Sequence, residues 1–260
     1  MSDEPIPVLL YHSVNRDPSG WIAPFTVAPD TFLRHLDLIA ESGRTALTVS
    51  ALRAAVESGA RPDHPVVITF DDGFRDTLEF AAPLLANRGI PATVFLTTGF
   101  LGRRSPGGDR MVSWSALGEF GEFGHALGAH SVTHPQLDAL PSKAAREEIV
   151  ACKAALEDHL GAPVEHFAYP HGYSSPTVRR LVAEGGYLSA CAVKNAFSSR
   201  SDPPYTIARL TVMANTSDGR LRAWLSGRGA PPARSRDRVA TRAWRTYRRA
   251  RAVVRGGDAP

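Results

Sequence analysis

Cysteine is scarce. The 260-residue chain has two, Cys152 and Cys191, too few for a disulfide framework or a cysteine metal cluster. Cys152 falls in a helical pattern and Cys191 in a strand-like run, so both are expected as buried free thiols, which suits a reducing compartment. Long hydrophobic runs are also missing. No stretch approaches the roughly 18 apolar residues of a membrane span. The first apolar stretch is short and follows Asp3, Glu4 and two prolines, with no basic region before it, so no secretory signal is visible. The expected location is cytoplasmic. No internal repeat is present. Lysine is absent from residues 220–260, a segment that nevertheless holds twelve Arg against two Asp, for a net +10. The overall charge is +4, so the other 219 residues carry −6. A slightly acidic body with a strongly basic tail is thus expected, not a uniformly basic protein.

A hydrophobic fraction of 43% supports a sizeable core at this length. Strand-like and helix-like segments alternate along the body. PVLLYH (7–12) is followed by a helical period over Asp30–Ser42, and Ser50 is expected to cap a short helix over Ala51–Glu57. PVVITF (65–70) and PATVFL (91–96) are continuous β-branched runs, as in strands buried on both faces. Ser113 is expected to cap a helix at Trp114, and Ser142–Leu160 reads as a long helix opening with a capping box. Strand-like segments at 125–129, 164–169, 187–193 and 205–212 complete the body. Repeated β-then-α units imply a parallel sheet, open or closed into a barrel. The ordered domain is expected to span 1–225, with 226–260 a basic linker and tail.

In parallel sheets and barrels, working residues gather where strands end. Three polar clusters sit at such ends. The first is TFDDG (69–73) after PVVITF. Adjacent carboxylates at the end of an apolar strand are costly unless a cation is near, although one Asp could simply cap the helix that follows. The second is HSVTH (130–134). Two histidines four apart face the same way if the segment makes a helical turn; alone, the pattern is common in proteins that bind nothing. Asp72 with His130 and His134 gives a two-histidine, one-carboxylate set that leaves positions open for water and substrate. The third is FAYPHG (167–172), whose Pro-X-Gly corner is either a plain turn or a rigid backbone N–H aimed at an oxyanion.

TFDDG, then HSVTHP about sixty residues on, then FAYPHG, resembles the polysaccharide deacetylase family (carbohydrate esterase family four, NodB homology) over about residues 6–215. PATVFL and the approach to the histidine pair fit as well. The resemblance implies a deformed (β/α) barrel that binds zinc or another divalent transition metal and removes acetyl groups from an acetylated glycan. It makes Asp72, His130 and His134 the metal ligands and Asp71 the general base. It places the oxyanion and substrate contacts at Tyr169, Pro170 and His171. Two departures stand out. Ala168 occupies the position where many members carry an Arg that orients the catalytic Asp, and Arg209 in TIARLTV is the candidate substitute. His171 stands where an aromatic is common.

An amide leaves badly unless its nitrogen is protonated, and His is the usual donor. The family commonly places that His late, yet none follows His171. His12, at the end of an apolar strand, is the remaining candidate, since first and last strands of a barrel are neighbours. LLYHSV with FAYPHG resembles the subset of poly-N-acetylglucosamine deacetylases, which carries an LxYHxV start and FAYPYG. A hydrogen-bonded core histidine is the plainer reading of His12. Residues 236–255 form an amphipathic pattern suited to an anionic membrane surface, which would make the protein peripheral on the inner face; no specific nucleic acid is expected. The competing functions are an O-acetyl esterase or non-sugar amide hydrolase with the same metal site, and a non-catalytic glycan-assembly subunit.

Overall fold

Strand formation follows the β-branched runs. In chain order the strands are β1 (Val8–Tyr11), β2 (Ser13–Val14), β3 (Thr26–Val27), β4 (Thr45–Leu47), β5 (Pro65–Phe70), β6 (Thr93–Leu96), β7 (Ala126–Ala129), β8 (His166–Ala168), β9 (Ser189–Val193) and β10 (Ile207–Thr211). The helices are α1 (Pro29–Glu41), α2 (Val49–Ser58), α3 (Ala82–Ala86), α4 (Leu117–Glu122), α5 (Ser142–Leu160), α6 (Pro176–Glu184) and α7 (Asp218–Leu225). The structure is a computed structural model that describes residues 4–60 and 62–233 and positions 244, 247 and 248.

β5, β6, β7, β8, β9 and β10 pair in sequence order, all parallel. β1 then pairs with both β10 and β5 and closes the ring. The result is a seven-strand parallel barrel with helices outside, the deformed (β/α) barrel that the resemblance implies. One irregularity deforms it. The first half of β5 pairs with β4 (Thr45↔Pro65 to Leu47↔Val67), and its second half pairs with β6 (Thr69↔Thr93, Phe70↔Val94). β4 therefore lies beside the barrel without belonging to the ring.

Side chains alternate in and out along each strand. Val8, Val67, Phe95, Ala168, Cys191 and Ile207 pack together in one buried cluster. The alternate residues Leu9, Tyr11, Ile68, Phe70 and Phe167 pack in a second, larger cluster that includes helix residues such as Leu36, Ile149 and Leu181. Cys152 and Cys191 are both buried and unpaired. Tyr11↔Phe70 is the last pair of the β1–β5 register, and the Asp71 N–H donates to the Tyr11 carbonyl at 3.0 Å. His12 and the carboxylate pair thus leave adjacent strands at the same end.

Several expected caps differ. Thr48, not Ser50, caps α2, its hydroxyl accepting from the Ala51 N–H. Pro141 takes the cap position of α5 with no side-chain bond; the third residue after Ser142 is Ala145, which has no group to reach back. Ser113 precedes a 3₁₀ turn over Trp114–Ala116 without capping it, and its hydroxyl meets that of Ser115. Past α7, residues 231 and 233 hydrogen-bond the backbone of Phe197, so the chain still pairs with the body there. The amphipathic pattern at 236–255 lies outside the described residues except for Trp244, Tyr247 and Arg248. Among the described residues, no helix is long and apolar enough to cross a membrane.

Candidate active site

Every polar cluster singled out above lies at the C-terminal mouth of the barrel, but each is held by a partner remote in sequence. Asp71 ends β5 on the same strand face as Val67 and Thr69. There it meets Arg209 of β10, whose side chain is fully buried. The Arg209 guanidinium donates both Nη atoms to the Asp71 carboxylate, at 2.6 and 2.7 Å, and Nη1 also reaches Thr69 Oγ1 at 3.3 Å. Burial opposes the charge on Asp71, yet Arg209 outweighs it and holds the carboxyl below its ordinary range.

Asp72 turns the other way because its backbone is left-handed, φ 73°. Its Oδ1 lies 3.4 Å from His130 Nε2 and 3.3 Å from His134 Nε2. One ligand atom from each of the three residues falls within 4.8 Å of the others. His130 follows β7 and donates its Nδ1–H to the Ala168 carbonyl at 2.8 Å, which fixes the tautomer and leaves the Nε2 lone pair facing Asp72. His130 Nε2 also lies 3.7 Å from Asp71 Oδ2. Burial pushes the His134 imidazole down to about 3, against the pull of Asp72, and so keeps it neutral. Burial also opposes charge on Asp72, but His134 and His130 bring its carboxyl below the usual range. Burial opposes charge on His130, but Asp71 and Asp72 outweigh it and raise its imidazole above the ordinary range. Two imidazoles and one carboxylate form a donor set that fits a divalent transition metal.

HSVTH brings its two histidines together without a helical turn. The segment is an irregular turn in which Ser131 (φ 67°) and His134 (φ 59°) are left-handed. Such conformations cost about 1–3 kcal/mol each in non-glycine residues and need support from their surroundings. Glu148 of α5 supplies it, accepting from the Val132 and Thr133 N–H groups and the Thr133 hydroxyl at 2.8, 2.8 and 2.6 Å. Ser131 Oγ also accepts from the His134 N–H.

His171 is left-handed as well (φ 56°), in the Pro170–Gly172 turn after β8. Its exposed ring lies 4.5 Å from that of His134, centroid to centroid. Gly172 is obligatory beside it, because a Cβ there would stand 2.3 Å from Val193 Cβ. Tyr169 is not brought into the cleft as expected. It shares the outward strand face of Phe167, is fully buried, and donates its hydroxyl to the Tyr205 carbonyl at 3.1 Å. Pro170 is buried and shapes the turn without offering a side-chain contact.

His12 continues the inward alternation of Val8 and Leu10. Its ring packs against Phe25 at 5.0 Å, and its Nδ1 is buried with no hydrogen-bond partner among the described residues. Burial holds its imidazole below the ordinary range, opposed by Asp72 and Asp71. The plainer reading, a core histidine satisfied by hydrogen bonds, thus lacks its hydrogen bond at Nδ1. Its position is fixed by Asp76, which accepts from Ser13 Oγ (2.7 Å), the Val14 N–H (3.2 Å) and Asn15 Nδ2 (3.3 Å), while Thr77 Oγ1 donates to the His12 carbonyl.

Residues 58–190 match the family model for polysaccharide deacetylases. The chain belongs to the polysaccharide deacetylase family. IcaB from Ammonifex degensii is 25% identical, with a TM-score of 0.74 over 85% of this chain and 97% of that one. The Streptococcus pyogenes deacetylase PplD, solved with acetate, shares the fold at 23% identity and a TM-score of 0.76, with the same two coverages. YxkH of Bacillus subtilis is 22% identical over 221 residues, 85% of this chain and 76% of its own. The family supports hydrolysis of acetyl groups on an acetylated polysaccharide.

Asp76 and Glu148 went unnoticed in the sequence. Asp76 lies 63 residues from Ser13, and Glu148 is a half-buried helix residue next to Arg146 and Glu147 in the chain. No local spacing ties either to its partners. Among the described residues of the tail, Arg248 reaches the body. Arg248 forms a paired ion bridge to Asp138 at 2.8 Å, and its guanidinium lies 3.7 Å from the Tyr173 ring centre.

Proposed function

We propose that the protein is a divalent-metal-dependent hydrolase that removes acetyl from N-acetylated sugars of a polysaccharide or glycoconjugate. The convergence of Asp72, His130 and His134 beside an Arg-clamped Asp71 carries this reading. Asp72 and the Nε2 atoms of His130 and His134 would hold the ion, zinc or another divalent transition metal. When bound, such an ion polarises the acetyl carbonyl and draws the pKa of water towards ~7.

The chain's own residues supply the rest. Arg209 fixes both oxygens of Asp71, so this carboxylate is ionised and oriented to take a proton from the attacking water. The left-handed turn at His171 holds its backbone N–H at the mouth, where it stabilises the developing oxyanion. His12, inward-facing on the neighbouring strand, hands a proton to the departing nitrogen. Water is added across the C–N bond, and acetate and a free amine leave.

The reading is tested by Asp71→Asn. The variant is expected to keep its metal by elemental analysis and to lose acetate release from N-acetylated oligosaccharides. Unchanged turnover would remove Asp71 from the mechanism. Running O-acetylated glycans in parallel separates an esterase from an amidase. An ester alcohol departs without an acid, so His12→Ala should spare esters and slow amides by ~10²–10⁴-fold.

A further inference from the structure

The loop between β2 and β3 leaves the same end of the barrel as the active site and is unusually well fixed. Asp109 accepts from both the N–H and the hydroxyl of Ser19, at 3.1 and 2.7 Å. The Ala23 N–H returns to the Ser19 carbonyl at 3.0 Å, and the Ala214 N–H donates to the Pro24 carbonyl at 2.9 Å. On this loop stands Trp21, 50% exposed. Its indole rests on Gly107 of the loop after β6. A Cβ on Gly107 would come within 2.7 Å of both Cβ and Cε3 of Trp21, so only a residue without a side chain lets the backbone approach that closely.

The platform joins the site at two points. The Trp21 ring lies 6.5 Å from Phe74, two residues past Asp72, and Phe25 at the far end of the same loop lies 5.0 Å from His12. An aromatic ring seated on one side, half open to solvent and set at the catalytic rim presents rigid apolar area at little cost in conformational entropy. The apolar C–H face of a pyranose ring matches that surface in size and chemistry.

We propose that Trp21 is a glycan subsite: it stacks against a sugar of the polysaccharide chain other than the one being deacetylated. The inference rests on the deacetylase reading of the neighbouring site, and it makes this face selective for chain length. Its occupant is a sugar ring, not a lipid surface, because Trp21 is the one exposed large hydrophobic side chain of the two loops that build the platform.

The test is calorimetric binding of N-acetylglucosamine oligomers from two to eight sugars, together with acetate release, for the wild-type protein, Trp21→Ala and Gly107→Ala. Trp21→Ala should weaken binding of the longest oligomers about tenfold and raise their KM to match, leaving the shortest unchanged, as expected for truncating an aromatic anchor. Gly107→Ala, which displaces the indole without removing it, should reproduce part of that loss. An equal loss at every length, no loss at any length, or no oligomer binding by the wild-type protein would overturn the proposal. So would a variant that loses only its binding to anionic phospholipid vesicles. Trp21-dependent binding without acetate release would sustain the subsite and sink the deacetylase reading.

Discussion

Removing the Arg209 side chain is the most severe test of how the site is built. Arg209 and Asp71 are 0% and 3% exposed and joined by two charge-assisted bonds of 2.6 and 2.7 Å. In Arg209→Met the Asp71 carboxylate stays buried with its fork gone. Breaking a buried pair by deleting one partner costs about 3–5 kcal/mol, because the remaining charge is uncompensated. At about 2–4 °C per kcal/mol for a domain of this size, melting should fall by about 6–20 °C. Arg209→Lys should recover part of this, since one ammonium cannot reproduce a planar fork. Adding Asp71→Asn to Arg209→Met should restore stability relative to Arg209→Met alone, because the orphaned charge disappears. The assay is chemical and thermal unfolding followed by circular dichroism, without added metal. A loss below about 1 kcal/mol in Arg209→Met, or a double variant no more stable than the single one, would refute the claim that this pair is a desolvated clamp.

Two further outcomes follow from residues outside the ligand set. Asp76→Ala removes the acceptor for Ser13, Val14 and Asn15 and frees the segment that carries His12; kcat on an N-acetylated oligomer should fall by up to ~100-fold with KM nearly unchanged, as for a misplaced catalytic group, and an unaltered kcat would show that Asp76 does not position His12. Burial pushes the His166 imidazole down to about 4 from 6.5. The folded state therefore resists a proton that the unfolded chain accepts, so stability is full above pH 6.5 and falls as pH drops towards 4. The loss from this one group between pH 7 and 5 should be on the order of 2 kcal/mol. Urea unfolding of His166→Gln should show a correspondingly flatter profile, and an unchanged pH dependence would remove His166 as the cause.

The barrel was legible because VLLY, PVVITF and TVFL are apolar on both faces and each polar cluster follows such a run. β1 closing the ring between β5 and β10 could be read from the same logic. What sequence spacing conceals is long-range pairing: Arg209 and Asp71 stand 138 residues apart, and nothing near either predicts the other beyond the absence of an arginine at Ala168. Left-handed backbone at Asp72, Ser131, His134 and His171 carries no signal in non-glycine residues, so the irregular turn that brings the HSVTH histidines together was not legible. The position of Tyr169 was within reach. Strand alternation sets it on the same face as Phe167 and away from Ala168, and that period points it out of the barrel. The tail pattern that suggested a membrane surface lies outside the described residues save for three positions, one of which, Arg248, is buried against Asp138.

The central claim is that Asp72, His130 and His134 serve one divalent ion on which turnover depends. The most direct measurement is acetate release from an N-acetylated polymer by chelator-stripped protein, before and after zinc is returned. Release should vanish on stripping and reappear as about one equivalent of ion is restored, with His130→Ala silent throughout. Full activity in the stripped protein would contradict the account.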